Sequence, residues 1–453
     1  MSMNLFAADA LTPEGWRRDV RIDIDVDGTI AAVRPDADRN GAECAAGPLI
    51  PGMPNLHSHA FQRAIAGRTG HAGAEGDSFW TWRQAMYAFL DRVDADAFEA
   101  IAAQAYVEML KAGYTSVAEF HYVHHDPRGK SYANPAELAQ RIVAATRESG
   151  IALTLLPVFY AHAGFGGLPA TEGQRRFVHS VETYARLVDA LKSDAAAAGW
   201  SLGVAPHSLR AVTPDELSAV LTLAPNGAPI HLHAAEQTKE VDDCVAWSGA
   251  RPIEWLLDHA KVDARWCVVH ATHMTAEETR RLALSGAVAG LAPTTEADLG
   301  DGTFAARAYL DAGGAIGVGS DSNTIIDPYA ELRQLEWSQR LEGRSRNVLA
   351  RGNAPVGRSL YEVAAQGGAR ASGRHAGVIA TGCRADLVVL DGDDPALAAQ
   401  RVDALLDAAI FGPCRAPVRD VMVAGIWVVR DGHHPREREV FARYRKATAE
   451  LSE

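Results

Sequence analysis

Four short islands, scattered over more than half of the chain, each end an apolar β-like run on residues that bind metals or move protons. They are His57 and His59, His233 with Glu236, His270, and Asp321. Side chains so distant in sequence meet only in a fold whose strand ends converge, and a closed barrel of alternating strands and helices gathers all of its C-terminal strand ends at one mouth. His57 and His59 are two apart in an extended segment, so their side chains point to the same side. Three imidazoles and one carboxylate, His57, His59, His233 and Asp321, suit a zinc ion with an open position for water.

The rest of the chain carries the matching periodicity. Strand candidates fall at 115–120, 152–159, 202–205, 230–233, 267–270, 288–292 and 315–319, separated by helical stretches such as 97–112 and 135–149. With the run before His57 they make eight, which predicts an α/β fold with a (β/α)8 TIM-like barrel over 51–375. The alanine run 195–198 reads as a helix end. Before the barrel, 20–26 alternates apolar and polar residues, Asp27-Gly28 marks a turn, and 29–33 follows as a strand. After it, 385–391, 418–425 and 426–430 return to β. Residues 1–50 and 376–453 are therefore expected to build one small β domain, with a C-terminal tail, from both chain ends.

Composition narrows the function classes. The formal net charge of the 453 residues is -13, so the basic footprint of a nucleic-acid binder is absent. Cys44, Cys244, Cys267, Cys383 and Cys414 are odd in number and form no CxxC pair, a pattern of reduced thiols. The N-terminus lacks a basic segment followed by an apolar run, and no stretch approaches the length of a membrane span. The expectation is a cytoplasmic enzyme of small molecules, without nucleic-acid or membrane partners.

Each candidate residue has a chemical role in this reading. One zinc would lower the pKa of a bound water to about 7. Glu236, three residues past His233, is placed to shuttle a proton to a leaving nitrogen if the chain turns beyond the strand end. His270 would orient the water or stabilise developing charge, and Asp321 would double as proton acceptor. Other residues read as structural. His231 shares the two-residue spacing with His233 but is not expected to bind metal. His121, His124 and His125 read as loop histidines facing solvent or substrate, and Glu119 as making a local hydrogen bond in its strand. The segments 153–160 and 202–205 carry no Lys or Glu that could bridge a second metal, so one ion per chain is expected.

The segment Pro51–His59, the His233/Glu236 pair, His270, Asp321 and the tail 382–391 resemble the amidohydrolase superfamily, in its mononuclear deaminase and deiminase branch. The resemblance covers essentially the whole chain. More narrowly, 77–83, 119–124, 205–210 and 293–302 are similar to the formimidoylglutamate deiminases of histidine degradation; Ala292 stands where that resemblance leads one to expect Cys. It implies hydrolysis of N-formimino-L-glutamate to N-formyl-L-glutamate and ammonia, and a homodimer. Such a substrate carries two carboxylates. Arg83 and Arg210, whose planar forks match a carboxylate, and Gln62 are candidate partners, with Tyr122 and His207 completing the hydrogen bonds. Two rivals stand beside this reading: a deaminase of guanine or another aromatic base, which would want an aromatic-lined pocket and fewer arginines, and a catalytically silent binding scaffold, against which the intact set of islands counts.

Overall fold

The computed structural model describes residues 2–70, 77–413 and 417–451, so Cys414 lies outside it; the other four cysteines are free thiols. Eight parallel strands close a barrel. The first three are Met53–Ser58, Tyr114–His121 and Ala152–Phe159. The fourth is split into Ser201–Leu202 and Ala205–Pro206, and Val204 bridges it to the fifth, Ile230–Ala234. Trp266–His270, Val288–Leu291 and Ala315–Val318 complete the ring.

Closure falls at the metal-type residues themselves. Ser58 pairs with Asp321 in a parallel bridge. The His59 N–H donates to the Asp321 carbonyl at 2.9 Å, and the Asp321 N–H donates to the His57 carbonyl at 3.0 Å. Gly319 permits this approach, since a Cβ there would sit 2.5 Å from the His57 carbonyl oxygen. Leu56, Cys267, Val269, Val288 and Ala371 form a fully buried cluster inside the strands, so the barrel is a packed core with its site at one end.

Both chain ends share a second sheet. Leu49–Pro51 lies between Met3–Thr12 and Leu387–Leu390 and pairs with both. Gly15–Ile24 and Ile30–Arg34 extend the sheet on one side, Val418–Val423 and Ile426–Val429 on the other. The alternation in 20–26 thus belongs to a longer strand, whose Val20, Ile22 and Ile24 face the sheet's own core. The alanine run does end a helix, Val181–Ala198. The C-terminal tail contains a helix, Glu437–Glu450, tied to the helix Ala95–Ala112 by a Lys111–Glu437 ion pair at 2.6 Å. Among the described residues no helix is long and apolar enough to cross a membrane.

Candidate active site

The residues singled out as ligands meet at the C-terminal mouth. The Nε2 atom of His57 lies 3.2 Å from that of His59 and 3.1 Å from that of His233. Asp321 Oδ1 is 3.3 Å from His59 Nε2 and 3.6 Å from His57 Nε2. Burial pushes all three imidazoles toward the neutral form, His59 to about 3. Nδ1–H of His59 donates to the Phe120 carbonyl at 3.0 Å, and that of His233 to the His207 carbonyl at 3.1 Å. Those bonds leave the Nε2 lone pairs turned toward one another, a donor set that a divalent cation satisfies and that would otherwise be mutually repulsive. His231, two residues deeper along its strand, bonds the Ala371 carbonyl at 2.8 Å and takes no part.

Backbone conformations explain how strand ends present these groups. His270 (φ 66°), Asp321 (φ 41°) and Ala235 (φ 54°) occupy the left-handed region, which is costly for residues with a Cβ and is held here by the surrounding packing. Ala235 is the turn that lets His233 face the ligand cluster while Glu236 swings into the cavity. Glu240 fixes that turn, accepting from the Ala235 N–H at 3.1 Å and the Glu236 N–H at 3.2 Å.

Glu236, His270 and Asp321 form a compact charged group. His270 Nε2 is 3.6 Å from Glu236 Oε1 and 3.7 Å from Asp321 Oδ2, and its Nδ1 is 3.3 Å from Glu296 Oε1. Burial lowers the His270 imidazole, but the carboxylates of Glu236, Glu296 and Asp321 outweigh it and carry it up to about 10. Burial raises Asp321 to about 7 despite the opposing pull of His270.

A cavity opens over this group, and all five candidate substrate residues line it: Gln62, Arg83, Tyr122, His207 and Arg210. Gln62 donates to the Tyr122 hydroxyl at 2.8 Å, leaving its own buried carbonyl oxygen without a partner. Arg83, on the helix Phe79–Leu90, packs over Trp80 with its guanidinium carbon 4.6 Å from the ring centre. Arg210 is buried, 3.8 Å from Glu236. Both arginines keep a buried Nε–H with no hydrogen-bond partner, the state of a donor that awaits an anion. The lining also holds Phe79, Trp82, Tyr87, Tyr122, Tyr160 and Phe177, so aromatic walls and paired arginines coexist here.

Some sequence-based assignments need correction. His121, His124 and His125 face neither solvent nor the cavity; all are buried behind it. His124 and His125 bond the carbonyls of Val158 and Val178 at 2.9 and 2.8 Å, and His121 meets the Phe98 ring edge-on. His121 still belongs to the second strand, and His124 and His125 are tied to the segment 176–179, both of their backbone N–H groups donating to the Arg176 carbonyl. Glu119 reaches beyond its own strand and accepts from the Ala60 N–H at 2.7 Å, bracing the segment just after His59. Burial raises its carboxyl to about 8.

Sequence reasoning also missed a buried polar network at the closing seam. Asn55 donates to Ser320 Oγ at 2.7 Å and accepts from the Ser320 N–H at 3.1 Å; Ser320 Oγ donates to Asn323 Oδ1 at 2.6 Å, and Asn323 donates to the His59 carbonyl at 3.0 Å. Polar residues inside otherwise apolar strand ends, beside the ligands, were the available signal. Asn55→Ala is expected to lower the unfolding free energy by about 1–3 kcal/mol, because it leaves the Ser320 N–H buried and unpaired and takes one of the two partners of the Ser320 hydroxyl. A urea titration checks this, and an unchanged midpoint would remove the network from the seam's stability.

Comparison with known proteins agrees with this geometry. The family model described as amidohydrolase family matches residues 49–428, and that described as formimidoylglutamate deiminase HutF, N-terminal domain, matches 3–45. The formimidoylglutamate deiminase of Pseudomonas aeruginosa is 55% identical over 99% of this chain and 99% of its own. A 5-methylthioadenosine/S-adenosylhomocysteine deaminase of Natronomonas pharaonis is 27% identical over 95% of this chain and 93% of its own. Among solved structures, an amidohydrolase from Brucella melitensis superposes with a TM-score of 0.95 at 49% identity, each chain covered in full. A zinc-bound adenosine deaminase from Xanthomonas campestris shares the fold, with a TM-score of 0.81 at 23% identity over 99% of this chain and 98% of its own. The chain belongs to the amidohydrolase family, in the group of the formimidoylglutamate deiminases.

Proposed function

We propose that this protein hydrolyses N-formimino-L-glutamate to N-formyl-L-glutamate and ammonia in the degradation of histidine, as a cytoplasmic homodimer with one zinc per chain. On this reading the catalytic barrel is 51–375, and 1–50 with 376–453 form the small β domain. The observation that carries the substrate assignment is the pair of arginines, Arg83 and Arg210, each with an unpartnered buried Nε–H, lining the same cavity as Glu236.

His57, His59, His233 and Asp321 would hold the zinc; the three converging neutral imidazoles, with the Asp321 carboxyl beside His57 and His59, fit it. When bound, the ion supplies Lewis acidity that brings a water's pKa toward about 7. The reaction adds water to the formimino carbon and breaks its bond to the terminal nitrogen. Glu236 takes one proton from the water as it adds and delivers it to that nitrogen; Asp321 accepts the second, from the hydroxyl of the resulting tetrahedral carbon, and it passes to the same nitrogen as the carbonyl forms and the C–N bond breaks, so ammonia leaves. His270 holds the Glu236 and Asp321 carboxylates in position and offsets negative charge as it develops. Arg83 and Arg210 bind the two substrate carboxylates, with Gln62, Tyr122 and His207 fixing their orientation. The rival aromatic-base deaminase draws support from the cavity's aromatic walls, but it leaves the buried Nε–H of both arginines without an acceptor. A silent scaffold would have no need of Glu236 beside the cation donors.

Ammonia release by purified protein over formimino, guanidino and purine compounds is the test. Release from N-formimino-L-glutamate and none from guanine is expected; the converse would transfer the site to the rival. Metal analysis is expected to give about one divalent ion per chain in the active protein, and active protein free of metal would overturn the assignment of these four ligands.

A further inference from the structure

Next to the four proposed zinc ligands lies a second convergence of donors. Single ligand atoms of Glu236, His270 and Asp301 all lie within 4.8 Å of one another. The three residues are 6%, 1% and 4% exposed. Asp301 belongs to neither the proposed zinc ligands nor the cavity lining, and no role has yet been given to it. One of its oxygens accepts from the Gln237 side-chain amide; the other, Oδ2, is buried with no hydrogen-bond partner. His270 directs Nδ1 to Glu296, which leaves its Nε2 toward Glu236.

We propose that Glu236, His270 and Asp301 form a second divalent-cation site, of zinc type and weaker than the first, whose occupancy stops turnover. Charge favours it. Glu236, Glu240, Glu296, Asp301 and Asp321 bring five carboxyl groups together in the interior, against Arg210, 3.8 Å from Glu236, the proposed first ion, and the proton of His270, which an arriving ion replaces. Burial, reinforced by the neighbouring Glu236, pushes the Asp301 carboxyl well above the usual range despite the opposing pull of His270. A tetrahedral zinc with bonds of about 2.1 Å needs its ligand atoms roughly 3.5 Å apart, which small side-chain rotations reach from here. Glu236 and His270 line the cavity, so an ion can arrive by the substrate's route. The site has one imidazole and two carboxylates in place of three imidazoles and one carboxylate, so it binds zinc less tightly.

Inhibition follows from the proposed function, because the ion would occupy the carboxylate assigned to carry the proton. Saturated protein should keep about a hundredth or less of its turnover. The experiment is equilibrium dialysis of the zinc-loaded protein against added zinc chloride, read by metal analysis, with ammonia release followed in parallel. The wild type should take up a second equivalent as turnover falls, and dialysis should restore it. Asp301→Asn should keep the first equivalent and its turnover, lose the second equivalent, and resist added zinc. His57→Ala reports on the first equivalent alone, so failure of the proposed zinc site is distinguishable from failure of this one. Should Asp301→Asn not fold, cobalt(II) titrated into the zinc-loaded wild type serves instead, with a visible absorption saturating at one further equivalent. A wild type that binds no second ion, or an Asp301→Asn variant inhibited as strongly as wild type, would overturn the proposal.

Discussion

Glu236→Gln should retain its metal and lose turnover, whereas His57→Ala and His233→Ala should lose both together. The contrast isolates proton transfer from ion binding. Glu236 is not among the converging imidazole nitrogens, and its backbone is fixed independently by Glu240. The amide replacement keeps the shape of the side chain but accepts no proton. General acid–base catalysis contributes about 10²–10⁴-fold, so kcat is expected to fall by that factor. Metal analysis and ammonia release on the same preparations give the answer, and near-normal kcat in the Gln variant would exclude Glu236 from the chemistry.

Arg83→Met and Arg210→Met should each cost roughly 1.5–3 kcal/mol of transition-state binding, about ten- to over a hundredfold in kcat/KM, with metal content unchanged. The two arginines should differ in kind. Arg83 stands on a helix, stacked on Trp80, and it is Arg210 that pairs with Glu236, so the loss of Arg83 should appear mainly in KM. Arg210 is buried against Glu236 and should lower kcat as well. The wild type should also reject N-formimino-glycine, which offers one carboxylate. Equal efficiency on the two compounds would contradict the carboxylate clamp, whatever the metal content.

The proposed metal ligands, Glu236 and His270 were readable because each lies at or just past a strand end, and strand ends in this fold share one destination. The support beneath them was not readable. Asn55, Ser320 and Asn323 look ordinary in a linear pattern; their meaning lies in a seam between the first strand and the segment after the eighth. Glu119 looked like a local acceptor because its partner, Ala60, belongs to a different element. His121 at the end of the second strand and His124 and His125 beyond it were misplaced for a related reason, since their burial depends on partners distant in sequence, Phe98 and the segment 176–179. The helix Glu437–Glu450 escaped notice because it is rich in charge and buries only Val440 and Ala447, too few apolar positions to set a clear period.

The clasp between Ser58 and Asp321 has a consequence for how the protein is made. His57 and His59 emerge early in synthesis, yet the carboxylate that completes their set arrives only after the last barrel strand. Contacts of such long sequence separation form late, since the intervening chain must first be ordered. The nascent chain therefore exposes a histidine pair well before it owns a finished cation site. With the proposed ligands, capture of an ion and locking of the cylinder would become a single terminal event, and an ion that binds only the closed ring would act as its rivet.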